Sequence, residues 1–195
     1  EIKFTLFSTP FDDESVDLLQ EYKCPAYKIA SFDSVNTKLI SKVATTGKPL
    51  IMSTGMTNEE ELKKALVTIV QKKLPNEDAN LAIMHCISSY PLHEEDANLA
   101  TIRYLKSFFN GPVGFSDHSL GDTLIQYSVA AGSNIIEKHF TLTRDQEGPD
   151  HKLSAEPEML KKIVEQAKKI KKILGEKHLG IKDCEGSAKV FRRPS

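Results

Sequence analysis

Two short motifs, Ser116-Asp117-His118 and Glu137-Lys138-His139, each close an apolar run that reads as a strand, and their histidines lie 21 residues apart. In a parallel α/β barrel the C-terminal ends of neighbouring strands converge on one mouth, so two imidazoles placed there can share a metal ion. A lone strand-end histidine is more often a hydrogen-bonded structural group than a ligand; two in matching contexts reverse that expectation. Lys28 is the second chemical signal. Flanked by Tyr27 and Ile29 in an apolar run, its ammonium would be buried at high cost unless an anion meets it. Asp33 and Asp150 are loop carboxylates whose default reading is solvation. His85, inside an apolar run, reads equally as a satisfied core histidine or a site wall; His93, His151 and His178 read as solvated, although His151 follows Asp150 closely enough to line the same region. Cys86 reads as a small apolar packing residue.

Elements that could position these residues recur along the chain. Apolar runs at residues 4–8, 26–31, 49–53, 81–86, 113–115 and 135–140 have the character of parallel strands buried on both faces. Amphipathic segments alternate with them. Residues 58–73 carry the stripe Leu62, Ala65, Leu66, Ile69 and Val70, and residues 156–174 carry Met159, Ile163, Val164, Ala167, Ile170 and Leu174. Asp12 and Asp13 before residues 15–22, and Thr57 with Glu60, have helix-capping character, while Gly47, Gly132 and Gly175 stand where helices should stop. Six such βα units leave two architectures open: an open doubly wound sheet, or an eight-stranded barrel of about 250 residues lacking its first two units.

Composition narrows the class. The chain has 195 residues, 39% apolar and 27% charged, with a formal charge of −1, which fits a soluble globular domain and offers no basic field for nucleic acid. The lysine run at 161–172 reads as a solvated helix face. Three irregularly spaced cysteines argue for reduced thiols in the cytoplasm, and no run approaches the roughly 18 apolar residues of a membrane span.

The strand ends share one chemistry. Ser8-Thr9-Pro10, Lys28-Ile29-Ala30-Ser31, Ser53-Thr54-Gly55-Met56, His85-Cys86-Ile87-Ser88-Ser89-Tyr90-Pro91 and the two histidine motifs gather hydroxyls, a lysine, carboxylates and imidazoles on one rim. Such groups suit a phosphate dianion, a divalent metal and a polyol. In this order the motifs resemble the sialic acid synthase family, from about Phe7 to Gly175. That family condenses phosphoenolpyruvate with an N-acyl amino sugar to a nine-carbon 2-keto acid and phosphate.

The resemblance implies a TIM-type (β/α)8 barrel lacking its first two βα units over residues 1–180, with residues 181–195 as the linker toward an antifreeze-like C-terminal domain. It implies that His118 and His139 hold Mn²⁺ or Mg²⁺. It places Lys28, Thr9, Ser31, Ser88 and Ser116 on phosphoenolpyruvate, and Asp33, Tyr90 and Asp150 toward the sugar, with Asp33 a candidate for handling the attacking water. Many relatives have Asn where Ser88 stands and Glu where Asp33 stands. The resemblance also implies a homodimer that exchanges C-terminal domains, and gives no role to nucleic acid or membrane. Two alternatives stand beside it: a synthase of other 3-deoxy sugar acids, for which a second basic cluster is missing, and a silent sugar-binding barrel.

Overall fold

The structure is a computed structural model that describes residues 4–72 and 80–193. The elements run α1 (Asp13–Glu21), β1 (Tyr27–Ile29), α2 (Thr37–Ala44), β2 (Leu50–Ser53), α3 (Glu59–Lys72), β3 (Leu81–Cys86), α4 (Ala100–Phe108), β4 (Val113–Asp117), α5 (Thr123–Ala131), β5 (Ile135–Lys138) and α6 (Pro157–Leu174). All pairings are parallel, and the spatial order β1-β2-β3-β4-β5 is the chain order. A sheet that adds strands in one direction, with a helix at every crossover, has no point where the order reverses. It is a curled half-barrel rather than a doubly wound sheet.

The apolar residues of the strands alternate between the two faces, and one set packs under the helices. Tyr27, Ile29, Met52, Ile83 and Phe115 are fully buried there against Leu39, Ile40 and Val43 of α2, Leu62, Ala65 and Ile69 of α3, and Ile102 and Leu105 of α4. Burying each of the larger side chains contributes about 1.5–3 kcal/mol. Truncating one, as in Ile83→Ala, should cost about 2–5 kcal/mol. On the other face Gly114 leaves room for Met84, whose sulfur a Cβ at position 114 would strike.

Helix starts follow local chemistry. Asp12 Oδ1 accepts Ser15 N at 2.6 Å and Asn36 Oδ1 accepts Leu39 N at 3.2 Å. The cap expected at Thr57 and Glu60 lies one residue later. Asn58 and Glu61 exchange bonds of 2.9 Å, while the Thr57 hydroxyl is already taken by Ser34 Oγ at 2.5 Å. Gly132, at φ 109°, closes α5, and Gly175 closes α6. α2 ends earlier than expected, at Ala44, so Gly47 belongs to the turn into β2.

Three further expectations change. Residues 4–8 make a single bridge, Ser8 to Tyr27, in place of a strand; Phe4, Leu6 and Phe7 lie exposed with no second strand beside them among the described residues. The stripe of α6 is only partly covered, with Ile163 buried but Val164 and Leu174 exposed. Residue 73, the expected end of α3, lies outside the described residues. Residues 181–193 include a 3₁₀ run, Asp183–Phe191, exposed throughout. Among the described residues no helix is long and apolar enough to cross a membrane.

Candidate active site

The ends of β1 and β2 build a cationic cradle. Lys28 pairs in register with Ile51, so Ser53, two residues on, shares its face. The buried Lys28 Nζ, 8% exposed as a residue, donates to Ser53 Oγ at 2.6 Å and to Ile29 O at 3.3 Å. Glu137 Oε2 stands 3.6 Å away, and Glu137 Oε1 accepts Ser116 Oγ at 2.6 Å. One carboxylate thus links β1 to β4 across the inner face. Beside it, Gly55 N donates to Ser31 Oγ at 3.0 Å, and a Cβ on Gly55 would come within 2.5 Å of Ser88 Oγ and 2.7 Å of Ser31 Oγ. Ser88 Oγ is buried with no partner. A buried hydroxyl without a partner is costly, so this orphan, the Ser31 hydroxyl held by Gly55 N–H, and a lysine together fit an anion.

The ends of β4 and β5 build an imidazole pair. His118 is 4% exposed and its Nδ1 lies 2.8 Å from Ile87 O. A carbonyl only accepts, so Nδ1 carries the proton and the neutral ring leaves Nε2 as a bare lone pair. Burial lowers the His118 pKa, outweighing the bond to Ile87, and His139 pushes it the same way. The ring is therefore neutral at pH 7, as ligation requires. The His118 and His139 rings are 5.5 Å apart, and Tyr90 lies 4.1 Å from the first and 5.9 Å from the second. Asp150 Oδ2 lies 3.7 Å from His139 Nδ1, beyond hydrogen-bond distance but beside the ring. No group of three or more His, Cys, Asp or Glu side chains among the described residues forms a metal cluster. Two nitrogens with open positions beyond them fit a catalytic ion that also takes water and substrate, not a closed structural one.

The structure brings together Lys28, Ser31, Ser88 and Ser116 on one side, and His118, His139, Tyr90 and Asp150 on the other. Thr9 is half-buried at the edge next to Ser8, whose carbonyl accepts Lys28 N at 3.0 Å. Asp33 sits in the 3₁₀ turn Ser31–Asp33 and its Oδ1 accepts Asn36 Nδ2 at 3.2 Å. Ser53, Gly55 and Glu137, placed on the rim by the sequence without individual roles, make contacts within the site. Period-two alternation was the signal, since Glu137 shares a face with His139 and Ser53 with Lys28's register partner. His151 is half-buried, not solvated: its Nδ1 lies 2.7 Å from Thr141 Oγ1. His85 resolves as a core histidine, bonded to Ala97 O at 2.7 Å and stacked on Phe115.

The chain is 48% identical over 176 residues to an uncharacterized protein of Methanocaldococcus jannaschii, covering 90% of this chain and 51% of that one. It is 40% identical to the N,N'-diacetyllegionaminic acid synthase of Campylobacter jejuni, covering 92% of this chain and 52% of the enzyme. The chain therefore spans about half the length of the curated relatives it matches. Among solved structures, the N-acetylneuraminic acid (sialic acid) synthetase of Leptospira borgpetersenii, in complex with citrate, superposes with a TM-score of 0.88 at 38% identity, over 94% of this chain and 63% of that one. The sequence model of the NeuB family matches residues 1–179, and the chain belongs to that family.

Proposed function

We propose that this chain is the barrel part of a sialic-acid-type synthase, which joins phosphoenolpyruvate to an N-acyl amino sugar, N-acetylmannosamine or a diacetamido hexose, giving a nine-carbon 2-keto acid and phosphate. The observation that carries this reading is the orphaned Ser88 hydroxyl, set with Ser31 and Gly55 N in a cradle on the same rim as Lys28, His118 and His139. In this reading residues 4–8 pair as a sixth strand once two more βα units stand beside them, which completes an eight-stranded barrel, and residues 181–195 lead toward a C-terminal domain. The relatives' greater length leaves room for both. The free cysteines Cys24, Cys86 and Cys184 support a cytoplasmic setting.

Lys28 holds the phosphate by charge, and Ser31, Ser88 and Ser116 hold it by hydrogen bonds, keeping the leaving group fixed while its C–O bond breaks. A divalent ion on Nε2 of His118 and of His139, Mn²⁺ in preference to oxygen-seeking Mg²⁺, would polarise the aldehyde oxygen of the open-chain sugar. C3 of phosphoenolpyruvate then forms the new bond to the aldehyde carbon, water adds at C2, and the C2–O bond cleaves to free phosphate. Glu137, in contact with both Lys28 and Ser116, is the carboxylate placed to handle the water's proton, while Asp33, tied to Asn36, and Asp150 stand toward the sugar. Tyr90 forms the wall along the imidazoles.

Phosphate release from phosphoenolpyruvate should be measured with Mn²⁺ and a panel of N-acyl hexosamines and phosphorylated aldoses, using this chain and a form extended to its relatives' length, with product mass recorded. Release that depends on an N-acyl hexosamine supports the reading. Release only with phosphorylated aldoses would move it to the other 3-deoxy sugar acid synthases, and none from either form would leave a silent barrel.

A further inference from the structure

Behind the two histidines lies a second pair of charges that points the other way. Ser116 and His118 face the site, so Asp117 between them faces the helices; Glu137 and His139 face the site, and Lys138 between them does not. Asp117 and Lys138 stand opposite each other on the last rung of the β4–β5 ladder. Their side chains are 0% and 3% exposed, and Lys138 Nζ lies 2.7 Å from Asp117 Oδ2. Lys138 Nζ also donates to Ser119 O at 2.6 Å, while Asp117 Oδ1 accepts Ser119 N at 2.9 Å. We propose that Asp117 and Lys138 are positioning residues for the two-histidine site: their buried ion pair clamps the ends of β4 and β5 together and fixes where His118 and His139 leave the sheet.

The ladder alone is a weak guide at this point. It stops one residue before each histidine, and β5, half-buried throughout, has β4 as its one strand partner among the described residues. The ion pair ties the two strands at that final rung and also grips Ser119, the residue after His118. His118 is thereby held on every side: Asp117 before it, Ser119 after it, Leu92 N on its carbonyl at 3.0 Å and Ile87 O on its ring. A slip of β5 by one residue would turn Lys138 into the site and His139 out of it. Stability alone does not call for charges here, because an apolar pair of similar volume in such a place is often neutral or stabilising. Directional bonds to Ser119 are what an apolar pair cannot supply. The inference rests on the reading of His118 and His139 as a joint metal site.

The test is the double variant Asp117→Leu/Lys138→Met in the full chain, since either single change leaves a buried charge unpaired. Two readouts apply besides a melting curve: the carbon-bound imidazole protons of His118 by NMR, shifted by the Tyr90 ring 4.1 Å away, and Mn²⁺ uptake followed by loss of the free-ion EPR signal. A folded double variant whose His118 signals move toward those of an unstacked imidazole, with Mn²⁺ affinity reduced about 10–100-fold, supports the clamp. Unchanged His118 signals and affinity in the folded variant overturn it. If the unaltered chain takes up no Mn²⁺, the metal assignment of the proposed function fails while the His118 signals still decide the clamp. Should the double variant not fold, Lys138→Arg, which keeps the charge but changes its geometry, decides by the same signals: displaced supports the clamp, undisplaced overturns it.

Discussion

His85 and His118 sit on opposite faces of the same sheet and look alike by the usual measures. Each is 4% exposed, each has one ring nitrogen on a backbone carbonyl, and in each burial lowers the pKa. Their neighbours differ. His85 stacks on Phe115 at 5.7 Å on the helix-packed side, while His118 shares its surroundings with His139, Tyr90 and the charge of Glu137. Burial and a lowered pKa are therefore common to both; what sets His118 apart is the company on its face.

The contrast can be broken by substitution. His118→Ala should abolish metal-dependent turnover, a larger loss than the ~10–100-fold typical of an outer-shell partner, with the circular dichroism spectrum unchanged. Full activity would remove the metal assignment. Lys28→Met should weaken phosphoenolpyruvate binding by ~100-fold or more, seen by calorimetry, because it removes the ammonium and leaves Glu137 facing the anion. Gly55→Ala should act in the same direction but less, as its methyl enters the space between Ser31 and Ser88. On the outer face, His85→Leu should cost about 1–3 kcal/mol in urea unfolding by leaving Ala97 O unpaired, with kcat/KM unaltered.

Acid sharpens the comparison further. Both imidazoles have folded-state pKa values below their ordinary 6.5, so the unfolded chain binds the extra protons first. Their stabilising contribution is complete above pH 6.5 and is lost as pH falls from there through the folded-state values. The urea midpoint should drop between pH 7 and pH 5, and His85→Leu should flatten part of that drop. Turnover should decline as pH falls below 6.5, when His118 accepts a proton and can no longer ligate.

Much of this architecture was legible because buried parallel strands are apolar runs that stop at polar residues. β3 appears at residues 81–86 as read, and the pairing of His118 with His139 follows from two strands of matching ends. What escaped was relational. Glu137 reads as a polar strand residue until the register sets it opposite Ser116 and within reach of Lys28, 109 positions earlier. Ser88 is reached through the family resemblance alone, and nothing in the sequence shows that its hydroxyl is buried without a partner. The run 4–8 misled for the opposite reason: its apolar character is strand-like, but a strand needs partners, and among the described residues only Ser8 finds one.

The hydrogen bonds that build the site join residues far apart in the chain: Lys28 to Ser53, Ser116 to Glu137, His118 to Ile87. No single βα unit contains a working fragment of it. Non-local contacts of this kind form slowly, after the loop-closure entropy of each crossover has been overcome. Catalytic competence should therefore arrive late during folding and all at once, so that a nascent or partly unfolded chain holds its lysine and imidazoles without the means to bind a substrate.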